Sequence, residues 1–488
     1  MLSFFKKYTK YIVLVALVCI PIFIHLDTLS VRQYDEARNA INAYEMYKNG
    51  NYIVTHFEGK PDMWNTKPPL LTWCQVAFMK VIGVNEFAVR LPSAIAAFLT
   101  CLVLLIFATR YLKLPWLGII AVFILITSQG YVSIHSTRTG DFDALMTLFT
   151  TLSGLLFYWY CEKQNVKHLY LFFICTALAV LTKSINGLLF LPAIFIYSIV
   201  RKQFIPLLKS KHFYLGLGSF LLLVSGFYLL REAYNPGFIA AVRENELGGR
   251  FLEVLDNHKH PFSYYFKNLV NNRFKIWYLF VPCGLLVGLF IKHKMINRLT
   301  LFSSLMILTL FLVISNSQTK LEWYDVPLYP FLAILVATAI YYLFNFLKNL
   351  DWIKKHTAAS LLPFIFLILI GFKPYKKILH KTVKPQEEAW IKDFYQISYF
   401  LKDGLNGKHN LNNQFISYNE YSPHILFYII MLNEKGIRFA NKNQAEFNVN
   451  EEVVVHQKNI QQFIEETYNY EITYKENQLV RYKILGRK

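Results

Sequence analysis

Six short polar clusters interrupt the apolar stretches of this 488-residue chain, and they hold the side chains that could do chemistry. They are YDEAR (34–38), WNTKPPL (64–70), TRTGDFD (137–143), TKSING (182–187), ENELGGRF (244–251) and KLEWYDVPLYP (320–330). A carboxylate can deprotonate an acceptor hydroxyl, and such positioned proton transfer typically contributes about 10²–10⁴-fold to a rate. Cations aimed at developing phosphate charge act strongly where water is excluded. The mixture indicates transfer of a group away from a phosphate.

Each cluster also has a plain structural interpretation. Asp35 and Glu36 lie in a first helical turn, where acids favour the helix dipole by about 0.3–1 kcal/mol. Lys67 follows a turn before an apolar element and could extend to the membrane interface. Asp141 could cap a helix with Arg138 as its partner. Taken singly, no cluster decides between these roles and a site.

The elements that must position the clusters are membrane helices. The chain is 55% hydrophobic and only 17% charged, and its apolar runs approach the roughly 20 residues that a bilayer-spanning helix needs. We predict about eleven transmembrane helices, at 11–26, 87–108, 116–134, 144–160, 168–181, 187–200, 213–230, 276–291, 299–314, 326–344 and 358–372. The net charge of +20 does not indicate nucleic acid, because much of the excess lies in short loops between these runs.

Basic residues predict the orientation of the helices. With the N-terminus inside, the six inside segments hold three, two, two, four, three and three Lys or Arg, against only Glu162 and Asp351. This bias satisfies the positive-inside rule at every inside segment. The remaining segments, 27–86, 135–143, 182–186, 231–275 and 315–325, are then outside. The prediction places all six polar clusters on that one face.

The composition changes near residue 374, which divides the chain into a transmembrane domain (1–373) and a tail (374–488). In the tail, 452–455 and 470–474 have the pattern of strands, whereas 459–466 has apolar residues at helical spacing. The fold class is therefore an all-α polytopic membrane protein with a small C-terminal soluble α/β domain. An odd number of helices also places this domain outside.

The order of the clusters resembles one family. YDEAR, KPPLLTW, GVNEFAVRLPSA, RTGDFDALMTLF, LTKSINGLLFLP, ENELGGRF with HPFSYY, and TKLEWYDVPLYP follow one another as in the bacterial polyprenyl-phosphate sugar transferases. This is the family of the aminoarabinose-to-lipid-A and protein O-mannosyltransferase enzymes, which have the GT-C fold. The resemblance covers about residues 10–345, and its specificity lies in the series rather than in any single motif.

The resemblance implies roles for particular residues. The catalytic aspartate of the family maps onto Asp35, with Glu36 beside it, and the acid before the fourth helix maps onto Asp143. Lys67 and Lys183 match lysines that contact the donor phosphate. The other residues that we place at the substrate are Tyr324, which matches a residue near that phosphate, and Arg138, Asp141, Arg250, His258 and Lys320 on the same face.

One departure from the family concerns a metal. Members often have glutamate before the lysine of the KPPL segment, where it can help to hold a metal, but here the residue is Thr66. His258 and His260 therefore lack a clear carboxylate partner in the sequence, and we assign no metal ligands. A divalent metal stays open as a cofactor.

These observations predict an inverting glycosyltransferase of the bacterial inner membrane whose site and C-terminal domain face outward. It would move a sugar from a polyprenyl-phosphate donor to a glycolipid, glycan or protein acceptor. A lipid transporter or flippase is the alternative class, and a non-catalytic lipid-binding scaffold is another. Transporters place charges near the bilayer midplane on broken helices, whereas here the charges gather at helix ends.

Overall fold

The computed structural model describes residues 2–252, 258–356 and 359–488. Within these ranges the chain is mainly helical. The helices are α1 (Leu2–Phe23), α2 (Asp35–Asn49), α3 (Leu70–Ile82), α4 (Glu86–Ile106), α5 (Pro115–Ile126), α6 (Asp143–Lys163), α7 (Val166–Lys183), α8 (Leu191–Val200), α9 (Phe204–Lys209), α10 (Lys211–Tyr234), α11 (Phe238–Val242), α12 (Tyr264–Asn268), α13 (Phe280–Phe290), α14 (Lys294–Asn316), α15 (Tyr329–Asn349), α16 (Asp351–Lys355), α17 (Leu362–Val383), α18 (Ala389–Phe394), α19 (Gln396–Leu405), α20 (Pro423–Glu434) and α21 (Lys458–Thr467).

Eleven apolar helices coincide with the predicted transmembrane segments. In the described part of the chain, seven helical segments are long and apolar enough to cross a membrane, and they contain α4, α6, α7, α10, α14, α15 and α17. The other four predicted segments correspond to the shorter apolar helices α1, α5, α8 and α13. Their packed interior forms one large apolar core. The protein is therefore a multi-pass membrane protein of the predicted fold class.

One predicted helix is too long. The apolar run suggested a helix over 116–134, but α5 ends at Ile126. The hydroxyl groups of Thr127 and Ser128 donate to backbone carbonyls one turn earlier, which competes with continued helix formation. The carbonyl of Gly130 accepts a hydrogen bond from Arg273, 3.0 Å away. This tertiary contact, from a residue distant in sequence, fixes the chain in a turn that leads to the TRTGDFD cluster.

Between the first two membrane segments, the sequence predicts a surface helix from YDEAR to Gly50 and a short helix from KPPL to about Gly83, and both helices are present. α2 ends at Gly50, which has a left-handed backbone (φ 70°), and α3 ends at Gly83. The sequence predicts an apolar stripe of Ala37, Ile41, Tyr44 and Tyr47 or Lys48 on α2, but polar positions such as Asn39 and Asn42 are buried as well. α3 and α20 both pack against α2. The helix is therefore covered by protein on more than one side.

The C-terminal part forms a five-stranded mixed sheet. Its strands are β3 (Gln414–Ile416), β4 (Phe439–Asn441), β5 (Glu452–Val455), β6 (Tyr468–Glu476) and β7 (Leu479–Arg487), in the order β4-β3-β5-β7-β6; a separate ribbon pairs β1 (His56–Phe57) with β2 (Lys60–Pro61). β5, β6 and α21 match the predicted strands and helix, and β3, β4 and β7 were not predicted. The predicted boundary at 373 and 374 falls inside α17, so the division into two domains stays a prediction.

An apolar core joins the C-terminal part to the loop between α1 and α4. It contains residues of α2 and α3, such as Ile41 and Val76, together with residues of α19 and α20, such as Leu401 and Tyr428. Burial of apolar area is the main favourable term in such packing, at about 25 cal/mol per Å². The C-terminal part therefore lies directly on the elements that carry YDEAR and KPPL.

Candidate active site

The polar clusters meet at one end of the helix bundle. The imidazole of His135 stacks on Trp323 with ring centroids 4.1 Å apart, which joins the segment just before the third cluster to the sixth. The N–H of Gly140 donates to the Glu36 carboxylate, which joins the third cluster to the first. The Thr66 hydroxyl lies 3.2 Å from a Glu246 carboxylate oxygen, which joins the second to the fifth. Segments far apart in sequence thus build one polar surface, as the shared-face prediction requires.

An acid and a lysine form an ion pair at the centre of this surface. Asp143 is the first residue of α6 and Lys183 is the last residue of α7. The Lys183 ammonium donates to the Asp143 carboxylate at 2.6 Å, and both side chains are almost fully buried. Charges buried at a membrane helix end are costly unless they are paired or functional. The two helix ends are therefore locked to each other by one charged contact.

A narrow cleft leads from this ion pair into the apolar bundle. Asp143, Lys183 and Tyr324 lie at its polar end, and the Lys183 ammonium stands 5.2 Å from the centre of the Tyr324 ring. The apolar lining includes Met306, Leu310 and Ile314 of α14, Phe331 of α15 and Pro327 just before α15. The lining is charged at one end and apolar at the other, which matches in polarity a molecule with an anionic head and a hydrocarbon tail.

Asp35 lies at the edge of the same polar centre. It is the first residue of α2 and its side chain is partly exposed. Its charge interacts with those of Asp143, Lys183 and His135. Its neighbour Glu36 accepts a hydrogen bond from the N–H of Gly140 at 2.9 Å, which holds Asp35 beside the segment that leads to Asp143. The structure therefore brings Asp35, Asp143, Lys183 and Tyr324 together.

Glu36 has a different role from its neighbour. It is fully buried, and its two carboxylate oxygens accept hydrogen bonds from the Arg90 guanidinium at 2.6 and 2.9 Å. The backbone N–H groups of Arg32 and Gly140 donate to the same oxygens. Burial opposes ionisation, but the Arg90 charge and these donors outweigh it and lower the pKa of Glu36. These contacts hold the start of α2 in place. A contact of Glu36 with the substrate, which we also expect from its place beside Asp35, stays a prediction.

Lys67 provides a second cation near the cleft. Its ammonium lies 5.5 Å from the centre of the ring of Phe142, the residue between Asp141 and Asp143 in the sequence. The same ammonium lies 3.5 Å from a Glu246 carboxylate oxygen. The side chain is buried and pairs with Glu246, whereas the structural interpretation of the sequence had it extend to the membrane interface. Glu246 was not singled out in the sequence, and only the fold brings it to Thr66 and Lys67.

His135 is a site residue that sequence reasoning missed. Its Nδ1 lies 3.4 Å from a carboxylate oxygen of Asp141, which also accepts a hydrogen bond from Thr139 at 2.5 Å. Burial lowers the pKa of His135, but the nearby carboxylates of Asp141, Asp35 and Glu36 outweigh that effect and raise it. The signal available in the sequence was its place two residues before the TRTGDFD cluster.

Left-handed backbone conformations surround the site. Tyr34, His135 and Ser184 have φ values of 68°, 58° and 51°, although none of them is glycine. Each is adjacent to, or part of, the polar centre: Tyr34 precedes Asp35 and Ser184 follows Lys183. Non-glycine residues in such conformations cost of order 1–3 kcal/mol and concentrate at functional sites.

Comparison with known proteins agrees with this geometry. Residues 66–229 match the family described as dolichyl-phosphate-mannose-protein mannosyltransferase. The crystal structure of ArnT from Cupriavidus metallidurans bound to undecaprenyl phosphate superposes with a TM-score of 0.70 at 16% sequence identity, over 97% of this chain and 98% of that chain. The same ArnT in the apo state gives a TM-score of 0.71 at 15% identity, over 98% of each chain.

Curated relatives extend the match along the sequence. An undecaprenyl phosphate-alpha-4-amino-4-deoxy-L-arabinose arabinosyl transferase of Erwinia tasmaniensis is 25% identical over 68% of this chain and 59% of that protein. An uncharacterised protein of Aquifex aeolicus is 28% identical over 74% of this chain and 68% of that protein. The chain is therefore similar in sequence and fold to the GT-C glycosyltransferases that use polyprenyl-phosphate sugars. The predicted resemblance and fold class are confirmed.

Two predicted binding residues, Arg138 and Lys320, contact backbone carbonyls and do not line the cleft. A third, Arg250, has a side chain that lies outside the described part of the structure. Arg138 donates to the carbonyls of Pro21, Ile22 and His25, so it holds the end of α1. The Lys320 ammonium donates to the carbonyl of Ser317.

The remaining question at the site is the divalent metal. Among the described residues, no group of three or more His, Cys, Asp and Glu side chains is arranged to hold a metal ion. His258 is exposed, and its carbonyl accepts a hydrogen bond from the backbone N–H of Lys320. The described residues therefore do not fit a metal centre.

Proposed function

We propose that this protein is an inverting glycosyltransferase that moves a sugar from a polyprenyl-phosphate donor, such as an undecaprenyl-phosphate sugar, to a hydroxyl or phosphate acceptor on the outer face of the inner membrane. The observation that carries the proposal is the Asp143–Lys183 ion pair at the polar end of an apolar cleft, with Asp35 beside it. The neighbouring structure of ArnT bound to undecaprenyl phosphate supports the same class of donor.

The donor would enter the cleft from the membrane. Its prenyl chain would lie against the apolar lining from α14 and α15, and its phosphodiester would reach the ammonium of Lys183. Lys67, whose ammonium lies 5.5 Å from the centre of the Phe142 ring, would contribute a second cation. Hydrogen bonds to charged groups contribute about 1.5–3 kcal/mol each, more than ordinary hydrogen bonds do. Asp143 orients Lys183 for this contact.

Asp35 would act as the base in the transfer step. The acceptor loses its proton to the Asp35 carboxylate while the acceptor oxygen forms a bond to the anomeric carbon of the sugar. The bond from that carbon to the phosphate oxygen breaks, and its electron pair leaves with the polyprenyl phosphate, whose added charge the lysines stabilise. Attack from the face opposite the leaving group inverts the configuration. The products are the glycosylated acceptor and polyprenyl phosphate.

The experiment reconstitutes the purified protein in lipid vesicles with a polyprenyl-phosphate sugar and measures release of polyprenyl phosphate and the anomeric configuration of the product. We expect Lys183→Ala and Lys67→Ala each to lower kcat/KM for the donor by about tenfold to a hundredfold, the range for one charge-assisted contact. Lys209→Ala is the matched control, since Lys209 is an exposed lysine at the end of α9. Retained configuration, or lysine variants within about twofold of wild type, would contradict the proposal.

A further inference from the structure

One face of α17 carries a row of basic side chains that the transfer mechanism does not use. Its members, all of them exposed, are Lys373, Lys376, Lys377, His380 and Lys381. They recur at intervals of three and four positions, which places them one above another on a single face of the helix. We call these five residues the basic stripe. Like charges at this spacing repel and destabilise a helix, so an anion bound along the stripe would stabilise it.

Ordinary structural roles do not account for most of the stripe. In the described part of the chain, none of the ion pairs includes one of its lysines. The helix dipole favours cations in the last turn, but that turn holds only His380 and Lys381, and the effect falls off beyond it. Lys373, Lys376 and Lys377 lie earlier in the helix, where the dipole does not stabilise them.

The stripe lies at the end of the bundle that holds the candidate site. Lys381 donates to the Gln129 side chain at 3.3 Å. The next residue along the chain, Gly130, accepts a hydrogen bond from Arg273, whose guanidinium pairs with Asp325 of the sixth cluster. This end is the predicted outer face. Lysines there run against the positive-inside bias of the other segments, so membrane orientation does not account for the stripe either.

The stripe begins within the part of α17 that would cross the membrane. Lys373 is the twelfth of the 22 residues of the helix, whereas a bilayer-spanning helix needs about 20. The turns before it expose Ile368, Leu369 and Phe372, as a lipid-facing surface does. A charged side chain at such a depth is costly unless it is paired. The position of the stripe therefore favours an anion that belongs to the membrane itself.

An apolar groove between α1 and α17 reaches the stripe. Its lining includes Val13 of α1 and Phe372 and Tyr375 of α17. Lys373 and Lys376 directly follow these two α17 residues in the sequence. Among the described residues, no side chain lines both this groove and the cleft of the candidate active site. The groove and the stripe therefore form a second surface with an apolar wall and cations at its edge.

We propose that the basic stripe and the groove bind an anionic phospholipid of the leaflet on the side of the candidate site. The lipid phosphodiester would accept hydrogen bonds from the ammonium groups of the stripe, and an acyl chain would lie in the groove. A lipid suits this surface better than a free phosphate, because only an acyl chain uses the apolar wall. Since α17 leads directly into the C-terminal part, the bound lipid would also hold the helix end from which that part begins. The inference does not depend on the proposed transfer reaction.

The test titrates the full-length protein in neutral detergent with phosphatidylglycerol or phosphatidylcholine of the same acyl chains and measures binding by native mass spectrometry. Wild type should bind phosphatidylglycerol at least about tenfold more tightly. The Lys373→Gln/Lys377→Gln double variant should lose about tenfold to thirtyfold of that affinity, at roughly fivefold per lysine, and keep its affinity for phosphatidylcholine. Lys458→Gln/Lys475→Gln is the matched control, because it makes the same change in net charge at two exposed lysines of the C-terminal part.

A second variant tests the groove. Val13→Trp fills it and should weaken the binding of both lipids about threefold or more. Equal affinities of wild type for the two lipids, or equal losses in the stripe and control variants, would overturn the proposal. Binding of glycerophosphoglycerol, the head group alone, as tightly as the lipid would assign a free phosphate instead. Lys10 lines the groove about two turns of α1 before Leu17, whose carbonyl accepts from Tyr375. Loss of the lipid preference in Lys10→Gln but not in the stripe variant would place the head group at that other end. Thermal unfolding of each variant checks that it folds.

Discussion

At the scale of single residues, the polar centre depends on charge. Asp143 and Lys183 neutralise each other, and Asp35 adds a carboxylate at the edge of that pair. His135 adds a titratable group whose charge state changes with pH. A polyprenyl-phosphate sugar is a phosphodiester with a single constant charge near neutral pH, so any pH dependence of its binding comes from the protein.

His135 gives a pH dependence whose direction follows from its environment. Its pKa is raised above the usual value of about 6.5, so the imidazolium persists to higher pH and is lost as pH rises through the raised value. We expect KM for the donor to rise on the alkaline side in wild type. His135→Gln should have a higher KM at acid pH and lack that rise. Steady-state kinetics from pH 5.5 to about 9 measure both, and an alkaline limb retained in the variant would assign it to another group.

At the scale of elements, three tyrosines of the C-terminal part fix the segment that leads into α2. Their hydroxyls accept hydrogen bonds from backbone N–H groups of that segment: Tyr399 from Ser30 at 3.4 Å, Tyr428 from Val31 at 3.2 Å and Tyr395 from Gln33 at 2.9 Å. Buried backbone donors are almost always paired, and leaving one unpaired is costly. The C-terminal part thereby helps to set the position of Asp35.

This contact predicts an effect of a single hydroxyl group. Tyr428→Phe leaves the buried Val31 N–H without its acceptor and should lower the free energy of unfolding by about 1–3 kcal/mol. It should also reduce kcat more than it changes KM for the donor, because Asp35 shifts while the cleft does not. Tyr474→Phe is the control, since the Tyr474 hydroxyl donates to Glu476 on the protein surface. Equal effects of the two changes would argue against this role for Tyr428.

Helix positions were predictable from local signals, whereas their tertiary partners were not. Gly50 and Gly83 end α2 and α3 where the sequence placed them, because a turn residue acts on its own backbone. The end of α5 was missed because it depends on Arg273, distant in sequence. Glu36 was assigned to the site because its partner could not be identified from the sequence. That partner, Arg90, lies 54 positions away in a motif to which the sequence analysis gave no charged role. The resemblance supplied Asp35, Asp143, Lys67 and Lys183, but not His135.

At the scale of the whole molecule, charge and structure agree on two distinct ends of the bundle. The end opposite the site holds Glu162, whose carboxylate accepts from Arg201 at 3.2 Å and Arg298 at 2.6 Å. These residues come from predicted inside segments, and the clusters of the site come from predicted outside segments. Which end faces the cell interior is a prediction of the positive-inside rule.

Cysteine labelling tests that orientation. Single cysteines at Asn51 and Asn410 should react with an impermeant reagent added to the outer face, and one at Arg201 should react only after the membrane is opened. The six native cysteines, of which Cys283 is exposed, are first replaced by serine, with retained activity as the control. Asn51 and Asn410 on opposite faces would contradict the shared surface of α2 and the C-terminal part.

The central claim is that Asp35 is the base, and Asp35→Asn tests it most directly. Loss of the charge in the first turn of α2 affects helix stability by only about 0.3–1 kcal/mol, so the variant should fold and bind the donor. An amide does not accept a proton at neutral pH, and we predict that the purified variant transfers sugar at least about 100-fold more slowly than wild type. A variant that binds the donor normally and transfers sugar at close to the wild-type rate would contradict the mechanism.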